Sequence, residues 1–188
     1  MKRSMMAVAA LAVTVVASTA QAQVARPITF GVSASATMPT GDMGDMFNTG
    51  FGITGLADMK TQLPVNFRGE LSYNRLGAKD MPAGLDGHAR IFAGVVNAVL
   101  PISTSGGIQP YVLGGPGVYS LKTTVSDGDA ELSTSKTAMG LNGGLGLNFH
   151  IGTFSTFAEA RYNYIFSKDD NKGFVNSQTI PLSFGIRF

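Results

Sequence analysis

The stretch Thr179-Ile180-Pro181-Leu182-Ser183-Phe184-Gly185-Ile186-Arg187-Phe188 alternates without a break between apolar and polar or small residues. A period of two is the signature of a β-strand with one apolar and one polar face. If Phe188 closes the chain, no following segment covers the apolar face. That face is then expected to meet lipid or another protein.

Working back toward the start, the same period recurs. Ala158, Ala160, Tyr162, Tyr164 and Phe166 lie opposite Glu159, Arg161 and Asn163. Val65, Phe67, Gly69, Leu71 and Tyr73 lie opposite Asn66, Arg68, Glu70, Ser72 and Asn74. Further strands are expected from Ile28, from Phe51, from His88 to Leu100, from Gln109 to Leu121 and around Met139 to Phe149. The fourth is blurred, because Ile91, Phe92, Val95 and Val96 are apolar on both faces. The fifth contains Pro116, which removes a ladder hydrogen bond and predicts a bulge or local break near Gly115-Pro116-Gly117.

That makes eight strands. The connections after the first, third, fifth and seventh read as long and polar, including Lys122 to Lys136 and Ser167 to Asn176. Those after the second, fourth and sixth read as short. This alternation fits a transmembrane barrel with long outer loops and short periplasmic turns. An even strand number puts both termini on the periplasmic side.

Composition agrees. Charged residues make up 14% of the 188-residue chain, against roughly 25% in an average soluble domain. There are 24 Gly and no Cys, and the lack of thiols is compatible with an oxidising compartment. After the first segment, no apolar run approaches the ~20 residues of a membrane helix. That first segment reads as a cleavable signal peptide: basic Lys2 and Arg3, apolar Met5 to Ala17, and a small-x-small site at Ala20-Gln21-Ala22. The domains expected are a signal peptide over 1–22 and a barrel over 23–188. Losing Lys2 and Arg3 changes the balance of basic to acidic residues from 14 against 12 to 12 against 12. The basic pI of the precursor therefore carries no nucleic-acid inference.

With a terminal Phe on an alternating strand, the segments Gln109-Pro110-Tyr111-Val112-Leu113-Gly114-Gly115-Pro116-Gly117-Val118-Tyr119 and Phe157-Ala158-Glu159-Ala160-Arg161-Tyr162, and the signal peptide, the chain resembles the small eight-stranded outer-membrane proteins. These are the OmpA transmembrane domain and OmpX type. The resemblance implies an all-β, antiparallel, up-and-down transmembrane β-barrel in the outer membrane of a Gram-negative-type bacterium. It also implies that Phe184, Ile186 and Phe188 form the signal read by the barrel assembly machinery after secretion. No peptidoglycan-binding domain follows Phe188, so cell-wall tethering is not implied. A secreted lipocalin-like barrel is the soluble rival. The aromatic residues Tyr162, Tyr164, Phe166 and Phe188 near strand ends favour the membrane form.

The candidate site is luminal. Arg68 and Glu70 on the third strand, and Glu159 and Arg161 on the seventh, share the polar parity on opposite sides of a barrel only wide enough for side chains. They are expected to pair across the axis, either as a plug that satisfies costly charges or as a gate for ions. No catalytic, cofactor or metal site is expected. His88 has Asp86 nearby but no Ser beside it in sequence, and His150 is far away. The aspartates Asp42, Asp45, Asp80, Asp86, Asp127, Asp129, Asp169 and Asp170 match no Ca²⁺ loop and read as solvated loop charge. The function expected is a non-enzymatic, monomeric protein with a membrane-integrity or surface-interaction role, surrounded by outer-membrane lipid and lipopolysaccharide. The alternative is a narrow pore for ions or small solutes, and the third reading is a lipid A-modifying enzyme.

Overall fold

The computed structural model describes residues 28–80, 86–104, 106–126, 131–151, 154–169 and 173–188. The expected signal peptide, Asp127, Asp129 and Asp170 lie outside these. Eight antiparallel strands close into one barrel, each pairing with its sequence neighbours and the last with the first. They are β1 (Ile28–Thr40), β2 (Gly50–Met59), β3 (Asn66–Gly77), β4 (Asp86–Pro101), β5 (Gln109–Ser126), β6 (Glu131–Ile151), β7 (Phe154–Asp169) and β8 (Gly173–Arg187). A short helix α1 (Asp42–Met46) lies between β1 and β2. Closure leaves no free edge strand in the barrel wall, the condition for a sheet in lipid, and only Glu131–Met139 of β6 run on beyond the ladder with β7.

The register sets the shape. Followed from Gly31 through Leu56, Glu70, Val95, Gly117, Gly140 and Ile165, it reaches Ser177, one step past the Gln178–Thr40 pair and ten residues up β1 from the start. Such a stagger on eight strands tilts them by about 40°. The outward apolar face of β6 from Met139 to Ile151 then rises roughly 30 Å, enough for the apolar band of ~25 Å.

The parity read from sequence holds on β3, β7 and β8: Phe67, Leu71, Tyr162, Phe166, Leu182, Phe184 and Ile186 face outward and exposed. Tyr164 and Phe166 stack edge to face at 5.2 Å. β4 has a cause for its blur. Ala89, Ile91, Ala93, Val95 and Val99 are buried inward while Phe92, Val96 and Leu100 are exposed outward. The lumen is therefore not uniformly polar.

Two expectations need correction and a third is met. Two of the four long connections are largely strand: β5 runs on to Ser126 and β6 begins at Glu131, so Lys122–Ser126 is paired ladder rather than loop. β7 likewise pairs with β8 as far as Asp169↔Gly173. The asymmetry between the two ends thus lies in strand length more than in loop length. Residues 132–137 are exposed on both faces, so no alternation marked them as strand. Asp42 and Asp45 belong to α1, and Asp86 and Asp169 to strands. At Pro116 the local break expected from sequence is present, without a bulge. The β4–β5 ladder skips from Val95↔Gly117 to Ala98↔Gly114 with its register unchanged. The carbonyl of Gly115 instead accepts a bond from Asn142 Nδ2 at 2.9 Å.

α1 acts as a cap. Gly41 enters it at φ 58°, a left-handed value that suits glycine. Its Met43, with Phe47 just after it, is buried against Leu76, Ala89, Ile91, Ala93, Val95, Tyr119 and Ile165. Backbone bonds Asn48 N–H to Gly77 O (2.8 Å) and Lys79 N–H to Met46 O (2.9 Å) tie the cap to β3. The end of the lumen away from the termini is an apolar plug.

Candidate functional site in the barrel lumen

The other half of the lumen is held by charge. Arg68 and Glu70 alternate inward on β3, and Glu159 and Arg161 inward on β7, because the residues between them on each strand face outward. The structure brings all four together. Arg68 Nη1 donates to Glu159 Oε2 at 2.8 Å and lies 3.5 Å from Glu70 Oε1. Arg161 donates through Nε to Glu159 and through both Nη atoms to Glu70. Each arginine therefore meets both carboxylates.

The network is larger than its sequence signature. Asp58 on β2 takes Arg68 Nε at 2.6 Å and Arg187 Nε at 2.7 Å. Tyr111 on β5 donates its hydroxyl to Glu159 Oε2 at 2.7 Å. Arg187 Nη1 donates to Asn148 Oδ1 at 2.6 Å. Asp58 and Arg187 were legible as residues on the polar faces of their strands. Their meeting with Arg68 depends on the stagger, which no local pattern reveals. Three arginines face three carboxylates, so the layer is formally neutral. That balance is what makes burial of six charges tolerable.

Aromatic rings and glycines complete the layer. The Arg68 guanidinium lies 5.5 Å from the Tyr111 ring centre and 5.6 Å from that of Phe157. Arg187 lies over Phe157 at 4.3 Å, within cation–π range. Both rings fit because the facing positions lack side chains. A Cβ on Gly146 would come 2.1 Å from Tyr111 Cζ, and one on Gly185 would come 2.5 Å from Phe157 Cε1. Glycine on the inward face of β6 and β8 is thus space for large luminal side chains.

Above the charges, Asn142 Nδ2 donates to Asn97 Oδ1 at 2.9 Å. On the β8–β1–β2–β3 wall the lining is Ser33, Ser35, Thr54, Ser72, Asn74 and Ser183, around a cavity of about 40 Å³. That is room for about three waters, each needing ~10–15 Å³ on this measure. It is far below the volume of a channel. Toward the termini a vestibule of about 300 Å³ opens below Arg68 and Arg187, lined also by Lys60, Gln109 and His150.

The remaining candidates lie apart. His88 pairs with Gly77 and Thr124 near the capped end, while His150 pairs with Ser155 near the termini. The register places Ser126 opposite Asp86, two pairs beyond His88↔Thr124. That proximity is hidden in the linear order. Among the described residues no group of three or more His, Cys, Asp or Glu could hold a metal ion. Phe188 lies beyond β8 with its ring exposed, and its backbone exchanges bonds of 2.9 and 3.1 Å with Phe30.

A closed ladder, an outward apolar belt and an inward layer of compensated charge define an integral membrane β-barrel of the bacterial outer-membrane kind. The chain belongs to the family described as outer membrane protein beta-barrel domain, which matches residues 8–188. Its location is accordingly the outer membrane. Neisserial surface protein A superposes with a TM-score of 0.61 at 20% identity, over 85% of this chain and 95% of that one. Ail, the attachment invasion locus protein of Yersinia pestis, gives 0.57 at 22% identity over 86% and 97%. A major outer membrane protein from Thermus thermophilus gives 0.57 at 13% identity over 86% and 100%. At these identities the likeness is one of fold. No protein with a curated description matches the chain in sequence.

Proposed function

We infer that this protein is a non-enzymatic, non-conducting barrel that works at the cell surface, in membrane integrity or contact with surface partners. The observation that carries this is the double closure of the lumen. An apolar cap built on Met43 and Phe47 lies above a neutral layer of six charges. Moving an ion past either would mean opening packed or paired groups. The rigid tube instead supports the β5–β6 ribbon, which passes beside the cap at Thr123–Val125 and stays paired up to Ser126↔Glu131. Its Leu132, paired with Val125, is 79% exposed. The names of two structural neighbours, a surface protein and an attachment invasion locus protein, accord with a surface role.

In this reading both termini are periplasmic, the barrel is monomeric, and outer-membrane lipid and lipopolysaccharide surround it. Planar-bilayer recording of the refolded protein tests it. No current steps above the lipid baseline are expected. Steady ion conductance would establish the narrow pore instead.

The closing strand is proposed to be the assembly signal, with Phe184, Ile186 and Phe188 as the recognised face. Deleting Phe188 removes an exposed ring and two backbone bonds, a loss of about 1–3 kcal/mol. The expected result is a severalfold fall in outer-membrane level, with the urea midpoint of the inserted fraction lowered by no more than that loss accounts for. Normal insertion of the shortened chain would remove the basis for this role.

A further inference from the structure

Three cations stand side by side on the outward wall. Arg75 of β3 is the register partner of Arg90 of β4, and Arg90 is the partner of Lys122 of β5. Facing residues on paired strands are about 5 Å apart, so the three span about 10 Å. Like charges directly opposite one another destabilise a sheet, and here the conflict occurs twice in one row. None of the three has a carboxylate within salt-bridge distance among the described residues. Arg90 Nε is buried without a hydrogen-bond acceptor. Asp86, on the same outward face of β4, lies two outward positions beyond Arg90 and pairs with Ser126 rather than with the row.

The row has a defined height. One outward position nearer the termini, Tyr73 pairs with Phe92, both exposed. Below them the belt continues through Leu71, Val96 and Phe67. The cations therefore begin where the apolar belt ends, on the end away from the termini. With the termini periplasmic, as the proposed function has it, this is the headgroup level of the outer leaflet.

We propose that Arg75, Arg90 and Lys122 form a binding site for a phosphate group of an anionic outer-leaflet lipid. Guanidinium groups recognise phosphate oxygens through charge-assisted, often bidentate hydrogen bonds, and lysine adds a point charge. The acyl chains of the same molecule would lie on Tyr73, Phe92 and Leu71. The phosphate supplies the acceptor for Arg90 and the negative charge that a row of three cations lacks.

The test uses the refolded barrel in neutral detergent, with native mass spectrometry of bound lipid. The probes are bisphosphorylated lipid A, its dephosphorylated form and inorganic phosphate. Lipid A is expected to bind at least tenfold more tightly than either of the others. In R75Q/R90Q/K122Q its affinity should fall on the order of a hundredfold, since each cation near an anionic lipid surface contributes about fivefold. Folding of the variant is checked by heat-dependent gel migration. Should the triple variant fail that check, R90Q alone carries the test with an expected fivefold loss. Equal affinity in the variant, or for the dephosphorylated lipid, overturns the site. Inorganic phosphate binding as tightly as lipid A would make it a free-anion site and overturn the lipid assignment. Conductance of the same preparation is read separately. A conducting barrel that keeps its lipid A refutes the closed-lumen reading alone, and a silent barrel that never binds lipid A refutes this site alone.

Discussion

Glu159→Ala is expected to cost the barrel about 3–5 kcal/mol, the usual penalty for breaking a buried ion pair from one side. The Glu159 side chain has no exposed surface and meets Arg68, Arg161 and Tyr111 together. Its removal leaves three arginines against Asp58 and Glu70, a net positive charge in a confined lumen. Arg68 keeps Asp58 and Arg161 keeps Glu70, so the barrel should still form, with a lower urea midpoint after refolding. The apolar cap on Met43 and Phe47 is untouched, so the variant should still pass no steady current. Replacing both members of a pair, as in Glu159→Leu with Arg161→Met, should be milder than the single change, because no charge is left unpaired. A single variant within about 1 kcal/mol of the parent would show that water, rather than the carboxylates, compensates the arginines.

Gly146→Ala should destabilise by about 2–5 kcal/mol although it adds one methyl group. The new Cβ would lie 2.1 Å from Tyr111 Cζ and 2.4 Å from its hydroxyl. The ring has little freedom to yield. It is almost wholly buried, donates to Glu159 at 2.7 Å and lies beside Arg68. Overpacking costs about 1–3 kcal/mol and a displaced buried hydrogen bond a similar amount. Gly143→Ala is the control. It lies three residues away on the outward face, and its nearest neighbour would be Leu113 O at 3.9 Å. A change within about 0.5 kcal/mol is expected there. In a Tyr111→Leu background the cost of Gly146→Ala should shrink. Equal costs at Gly143 and Gly146 in equilibrium unfolding would mean that the glycine is selected for backbone reasons instead of luminal space.

How legible the fold was depended on whether the two faces of a strand meet different surroundings. On β3, β7 and β8 one face meets lipid and the other a polar lumen, so parity was plain in Phe67 against Arg68 and in Ala160 against Glu159. On β4 it was not. Ile91 and Val95 pack against the apolar cluster under Met43 and Phe47, while Phe92 and Val96 are exposed outward. The β5–β6 ribbon failed for the opposite reason. On its β6 side residues 132–137 are exposed on both faces, so no alternation marked a strand and Lys122 to Lys136 resembled a loop.

From the amino-acid order alone came the number of strands, the faces of the clearest ones and the inward parity of Arg68, Glu70, Glu159 and Arg161. Those are consequences of a two-residue period, a local property of the chain. Heights along the axis are not local. Closing eight strands with a stagger of ten residues decides that Asp58 and Arg187 reach Arg68. It decides equally that Gly146 faces Tyr111, that α1 covers the lumen, and that Arg75, Arg90 and Lys122 fall in one row. Each of those meetings joins residues from different strands, and only the register of the closed sheet brings them level.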